Sequence, residues 1–383
     1  MCIRDRYNKD RPFLPKGPKG RNAFFVWYCI PEGRCTVVTD ERKIAADAPT
    51  KPAANMLGAV GGILIRLPEA SIAVVAIAIS IIFQVLNQNY LTSLTQVLAA
   101  STGLYGLIAI GEAMLMITGE IDLSAAKIYS TTPFIVYYLN TNANIPYGIA
   151  ILLGLACASL IGMVNGMITV LFGVPSLIAT LGMLFFLNGV TLSVSHSQPV
   201  VTPLVEPINT FLGRGQVQPI GGLSQYAAFI WLAILTIILT VVLKRTRFGT
   251  YTISVGSNLL AAREIGIRTS RVKIANFMIM GFLAGFNGII ESIVSGSTDP
   301  SAGDNTLTLY GIAAAVIGGT SLFGGSGTVI GAVIGAYVIA ALLSGLPLLG
   351  AQATESDIIL GISIVGAILL NILLNNLRSR RRS

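Results

Sequence analysis

The chain has 383 residues, 53% of them hydrophobic and only 11% charged, with a formal net charge of +8. A soluble domain carries roughly 25% charged residues, so a surface wetted on all sides is excluded. Twelve of the 25 Lys and Arg fall in residues 1–66, seven in 244–273 and four at the C-terminus, leaving only Lys127 and Arg214 elsewhere. That clustering follows the positive-inside rule for membrane segments and argues against a nucleic-acid-binding face.

Residues 1–66 are polar, basic and punctuated by Pro and Gly, and they predict a disordered cytoplasmic tail. The opening Met1 to Arg6 resembles translated sequencing adapter, so part of this tail is expected to be artefactual. No apolar core of 7–15 residues follows it as a secretory signal would require. Residues 67–376 form the expected membrane domain, and 377–383 a basic cytoplasmic tail. Ten spans are predicted near 68–87, 93–117, 123–139, 147–172, 176–194, 224–243, 274–297, 306–323, 327–348 and 355–375, at ~20 residues per span. Uninterrupted apolar runs such as Ala70 to Leu86 exclude a β-barrel, whose strands alternate. An even number of spans returns both termini to the cytoplasm. It also places the basic loop 244–273 inside and the loop 195–223 outside.

The third and eighth spans are short and broken by polar or glycine residues, as in helices that line solute cavities. Within apolar runs lie Glu112 and Glu291; Glu120 and Asp122 sit at a break. Intramembrane carboxylates are costly and default to functional hypotheses. Asp122 can cap the third span, contact solute or handle protons. The uncharged polar residues Asn165, Asn188, Asn287, Ser295, Ser297 and Thr298 suit a neutral hydroxylated solute, and each equally suits a helix–helix hydrogen bond. The run Gly318 to Gly327 lacks the lysine of a phosphate loop. Its glycines are expected to break the eighth span, with Gly327, Gly331 and Gly335 forming a face for close helix packing. The four cysteines show no metal or disulfide spacing and the single His196 excludes a multi-histidine site.

In the basic loop, Asn258 is a good N-cap and Gly266 a good C-cap. They bracket Leu259, Leu260, Ala261, Ala262, Arg263, Glu264 and Ile265, with Ile267 beyond. A helix this short does not persist alone in water. Its apolar residues, Leu259, Leu260, Ile265 and Ile267, therefore predict a groove on a partner.

Thr246, Phe248, Gly249, Gly256, Asn258, Ala261, Ala262, Gly266 and Ile267 together resemble the coupling segment of ribose/xylose-type permeases of ATP-binding-cassette importers. Gly119-Glu120-Ile121-Asp122-Leu123-Ser124 resembles that family's G-G-I-D-L-S, with Glu120 in place of glycine. Asn165-Gly166 with Val174 to Gly182, and Ala313 to Gly327, resemble two further motifs of that family. Ala125-Ala126-Lys127 departs from the family's small-residue run. The resemblance implies an all-α fold of the type II importer-permease kind, two copies around one pathway, in a bacterial inner membrane. It implies no catalysis and no cofactor on this chain, with ATP and Mg on a cytoplasmic ATP-binding-cassette ATPase docked at residues 257–267. An extracytoplasmic sugar-binding protein would deliver the solute. A monosaccharide is expected, with a nucleoside or autoinducer-type sugar, or a proton-coupled secondary transporter, as the alternatives.

Overall fold

The computed structural model describes residues 26–29, 35–38, 68–203, 205, 208–213, 226–303 and 305–380. Val26–Cys29 (β1) and Cys35–Val38 (β2) form an antiparallel pair, with Val26 opposite Val38. The remainder of the expected tail 1–66, the three last residues of the C-terminal tail, and Arg214 lie outside the described residues.

Each of the ten expected spans corresponds to a helix. These are α1 (Pro68–Leu86), α2 (Tyr90–Ile117), α3 (Ala125–Thr141), α4 (Tyr147–Leu171) and α5 (Ser176–Val194), then α7 (Ala227–Arg245), α10 (Thr269–Ser295), α11 (Asn305–Ile317), α12 (Val329–Leu348) and α13 (Ala353–Arg380). Three short helices lie between spans: α6 (Ile208–Leu212), α8 (Arg247–Ser257) and α9 (Leu259–Glu264). Among the described residues, seven helices are long and apolar enough to cross a bilayer unaided; α3, at 17 residues, α11, at 13, and α13 are not among them. Satisfying backbone groups internally is the condition for such short helices to exist at membrane depth.

The eighth span ends six residues before its expected limit of 323, at Ile317. Gly319 there adopts φ +88°, a left-handed conformation that β-carbons disfavour, and the chain turns through Ser321–Gly325. Gly327 precedes α12 and packs on Thr320 and Ile117, so only Gly331 and Gly335 of the expected face sit on the helix. Those two meet Ala314 of α11 and Gly318 just beyond its end.

Two helices are the axis of the domain. α2 is buried without interruption from Gly106 to its end at Ile117, and α10 is buried from Leu283 to Ile290. α10 runs along α4, α3 and α2, while α12 and α11 cover the other side of α2. Lipid-facing side chains such as Ile77 and Ile81 on α1, Leu152 on α4 and Phe185 on α5 remain exposed, as a bilayer solvent requires. No hydrophobic effect drives helices together once they are in lipid, so close backbone packing must contribute much of the association. A β-carbon at Gly162 would meet the Phe277 carbonyl, one at Gly281 the Ala158 carbonyl, and one at Gly288 the Tyr129 carbonyl. Residues larger than glycine there would push α10 away from α4 and α3.

Gly281→Ala should therefore lower the thermal midpoint of the detergent-purified protein, at a cost of ~1–3 kcal/mol for overpacking. Gly361→Ala, on a face of α13 with open space around it, should be neutral or stabilising by up to ~1 kcal/mol through helix propensity. Equal midpoints for the two variants would contradict this packing.

Candidate functional site

The loops sort into two ends. At one end, Gly325 N donates to Ile117 O (2.9 Å), Ser257 Oγ donates to Gly325 O (3.4 Å), Ile121 N donates to Ser176 Oγ (3.3 Å), and Lys273 pairs with Glu120. This end gathers the turns after α2 and α11, the start of α5, and the whole segment 246–268. At the other end, Val200–Val201 (β3) pairs antiparallel with Ser297–Thr298 (β4), and Tyr138 Oη donates to Val194 O. The glutamate that stands where the family motif has glycine thus finds a partly buried partner at the foot of α10.

The segment 118–124 re-enters the domain between α2 and α3, and every one of its backbone N–H groups is bonded. Thr118, Gly119 and Glu120 donate to the carbonyls of Leu115, Met116 and Leu115. Ile121 N donates to Ser176 Oγ, Asp122 N to Glu112 Oε2 (3.5 Å), Leu123 N to Thr180 Oγ1 (3.0 Å) and Ser124 N to Asp122 Oδ1 (2.8 Å). Asp122 Oδ1 also accepts from Ser124 Oγ (2.6 Å), and Asn165 Nδ2 donates to Ser124 Oγ (2.8 Å) and, at 3.3–3.4 Å, to both Asp122 oxygens. Glu112, Asp122, Ser124 and Asn165 are fully buried. Asp122 and Asn165 therefore meet, with Asp122 accepting from the Ser124 backbone and Asn165 from α4 bonding the Asp122 and Ser124 side chains. The first turn of α3 continues the pattern, since Ala126 N donates to Thr308 Oγ1 of α11 (2.9 Å).

The remaining expected solute residues are dispersed. Asn287 is buried and donates to the Leu104 carbonyl (2.9 Å), a helix–helix bond. Asn188 is half-buried on α5. Ser295 and Ser297 are exposed and, with Thr298, help line a cavity of about 230 Å³ at the β3–β4 end. Tyr129, Ser130, Glu291, Ser292 and Asp299 complete its polar wall. Tyr129 was not singled out in the sequence, because an aromatic in a span reads as core.

The segment 246–268 folds as two capped helices where the sequence suggested one. Thr246 Oγ1 accepts from Gly249 N (3.2 Å) to start α8, and Asn258 Oδ1 accepts from Ala261 N (3.0 Å) to start α9. Gly266 takes φ +86° just past the end of α9, as its C-cap role requires. Asn276 Nδ2 donates to Thr252 Oγ1 (3.2 Å), holding α8 on α10. Val255, Ala262 and Val272 form a small apolar core with Phe248, Leu259 and Ile267 against it. Leu259 and Ile267 therefore pack partly against the permease's own small core. Leu260 and Ile265 remain 70% and 75% exposed, beside the exposed Ala261 and Glu264.

Removing the Asp122 carboxylate would strand three buried donors, each costing about 1–3 kcal/mol. Asp122→Ala should lower the thermal midpoint of the purified protein clearly. A double-mutant cycle with Asn165→Ala should show coupling of about 0.5–3 kcal/mol, as for contacting residues. An unchanged midpoint with altered transport alone would identify Asp122 as a solute contact instead.

A family model described as branched-chain amino acid transport system / permease component matches residues 93–368. The xylose/arabinose import permease of Sulfolobus acidocaldarius is 38% identical over 291 residues, covering 72% of this chain and 77% of that protein. The ribose import permease of Escherichia coli K12 is 32% identical over 71% of this chain and 84% of its own length. The autoinducer 2 import system permease of Salmonella typhi is 32% identical over 71% and 76%. No solved structure matches the chain. With two apolar residues held out from a capped loop helix, a re-entrant segment braced by polar side chains and a family match over most of its length, the chain belongs to the branched-chain amino acid transport system permease family, with permeases of ribose/xylose-type ATP-binding-cassette importers as its relatives.

Proposed function

We propose that this chain is the membrane-spanning subunit of an ATP-driven importer that carries a monosaccharide inward across the bacterial inner membrane. The observation that carries the reading is the pair Leu260 and Ile265, exposed on a helix capped at both ends and anchored to α10. A fixed apolar surface outside the bilayer needs a partner to cover it, and the fitting partner is a separate cytoplasmic ATP-binding-cassette ATPase that binds the ATP and Mg. The exposed Lys244, Arg245, Arg247, Arg263, Arg268 and Arg271 at the same end support a cytoplasmic orientation. Both termini then lie inside, and the β3–β4 end faces an extracytoplasmic sugar-binding protein. Two copies side by side would complete the pathway, as the family resemblance implies.

The solute's first contact is the cavity of about 230 Å³ lined by Glu291, Ser292, Ser295, Ser297 and Asp299. Its volume lies below the ~300–1,000 Å³ of pockets for drug-sized ligands, which suits a single sugar ring. Hydroxyl and carboxylate oxygens accept hydrogen bonds from sugar hydroxyls without needing an ion pair. The names of the relatives, xylose/arabinose, ribose and autoinducer 2 permeases, support the same solute class.

The test is energy coupling. Proteoliposomes holding the permease with its ATPase and binding protein should take up labelled ribose or xylose when ATP is supplied on the ATPase side. A protonophore should leave the rate unchanged. Uptake that follows the proton gradient and ignores ATP would overturn the reading.

A further inference from the structure

We propose that the turn Ser321–Ser326, with Phe323 at its tip, is a second docking element for the ATPase beside α9. The inference rests on the functional reading above, and it concerns a turn whose glycines the sequence explained only as a helix break. Phe323 is 92% exposed, the most exposed large apolar side chain among the described residues. Leu322 beside it is also exposed.

The turn is held in one shape. Ser321 N donates to Ser326 O (2.9 Å), Phe323 N to Ser321 Oγ (3.2 Å) and Gly324 N to Ser321 O (3.3 Å). Gly324 and Gly325 adopt φ +86° and +78°, so the chain can reverse directly behind the phenylalanine. An apolar side chain presented on an ordered turn loses little freedom on binding, which favours association.

The turn is also joined to the coupling segment. Gly325 N donates to Ile117 O at the end of α2, and Ser257 Oγ donates to Gly325 O. A β-carbon at Gly325 would lie 2.9 Å from Ser257, and one at Gly256 would collide with Ile117 O. Ser257 directly precedes Asn258, the residue that caps α9. The turn therefore borders the start of the helix that carries Leu260 and Ile265. It lies at the basic end of the domain. Aromatic anchors dominate the binding energy of protein interfaces, whereas the aromatics that favour a membrane surface are Trp and Tyr. The geometry fits an ATPase surface that spans α9 and this turn together.

The experiment uses the full chain co-expressed with an affinity-tagged ATP-binding-cassette subunit, reading permease retained per ATPase. Phe323→Asp should reduce retention at least tenfold while the permease still elutes as one species, and Phe323→Tyr should retain it. Wild-type retention by Phe323→Asp, with loss in Leu260→Asp/Ile265→Asp, would overturn the second element and leave α9 as the sole dock. Wild-type retention in both would overturn this proposal and the docking surface of the functional reading together. Should Phe323→Asp fail to fold, a photoactivatable phenylalanine analogue at position 323 decides. An adduct with the ATPase is expected, and adducts with lipid alone would overturn the proposal.

Discussion

A buried peptide group that leaves a helix must be bonded by the protein itself, and the organisation of this domain follows from that constraint. Between α2 and α3 seven consecutive backbone N–H groups, 118 to 124, leave the helical ladder, and each has an acceptor. The acceptors beyond the segment's own neighbourhood are Glu112 on α2 and Ser176 and Thr180 on α5. Asn165 on α4 binds the Asp122 and Ser124 side chains that turn the chain. Four spans are thereby fixed around one short stretch. A buried group left unsatisfied costs about 1–3 kcal/mol, so these polar residues contribute to the fold whatever else they do.

Bracing this turn allows α3 to begin within the domain, against Thr308 of α11. A short helix started there carries Tyr129 and Ser130 to the cavity wall, opposite Glu291 and Ser292 of α10. The other end of α10 holds Lys273, paired with Glu120 of the re-entrant segment, and Asn276, bonded to α8. One closely packed helix thus joins the proposed ATPase surface to the proposed solute cavity. Gly162, Gly281 and Gly288 let α4 and α3 lie against it at backbone contact.

The spans were legible because hydropathy over ~20 residues is a local signal. The caps at Asn258 and Gly266 were legible for the same reason, since a cap depends on residues two or three positions away. Facing was not legible. Leu259 and Ile267 turn inward because Val272 and Phe248, distant in sequence or outside the helix, offer them a core. The intramembrane polar residues were found as a class, yet their roles divided by tertiary contacts: Asp122 and Asn165 brace a turn, Asn287 bonds the Leu104 carbonyl, and Ser295 and Ser297 reach the cavity. The early end of α11 at Ile317 followed from glycine, but the exposed Phe323 behind it depends on how the turn is tied to Ile117 and Ser257.

The proposed importer requires the cavity and α9 to face opposite sides of the membrane in one particular sense. That sense can be measured with Ser297→Cys and Leu260→Cys in a chain whose Cys2, Cys29, Cys35 and Cys157 are replaced by serine. Intact spheroplasts are treated with a membrane-impermeant thiol reagent before and after permeabilisation. The account predicts labelling of position 297 in intact cells and of position 260 only after permeabilisation. Labelling of position 260 from outside, with 297 protected until the membrane is opened, would contradict it.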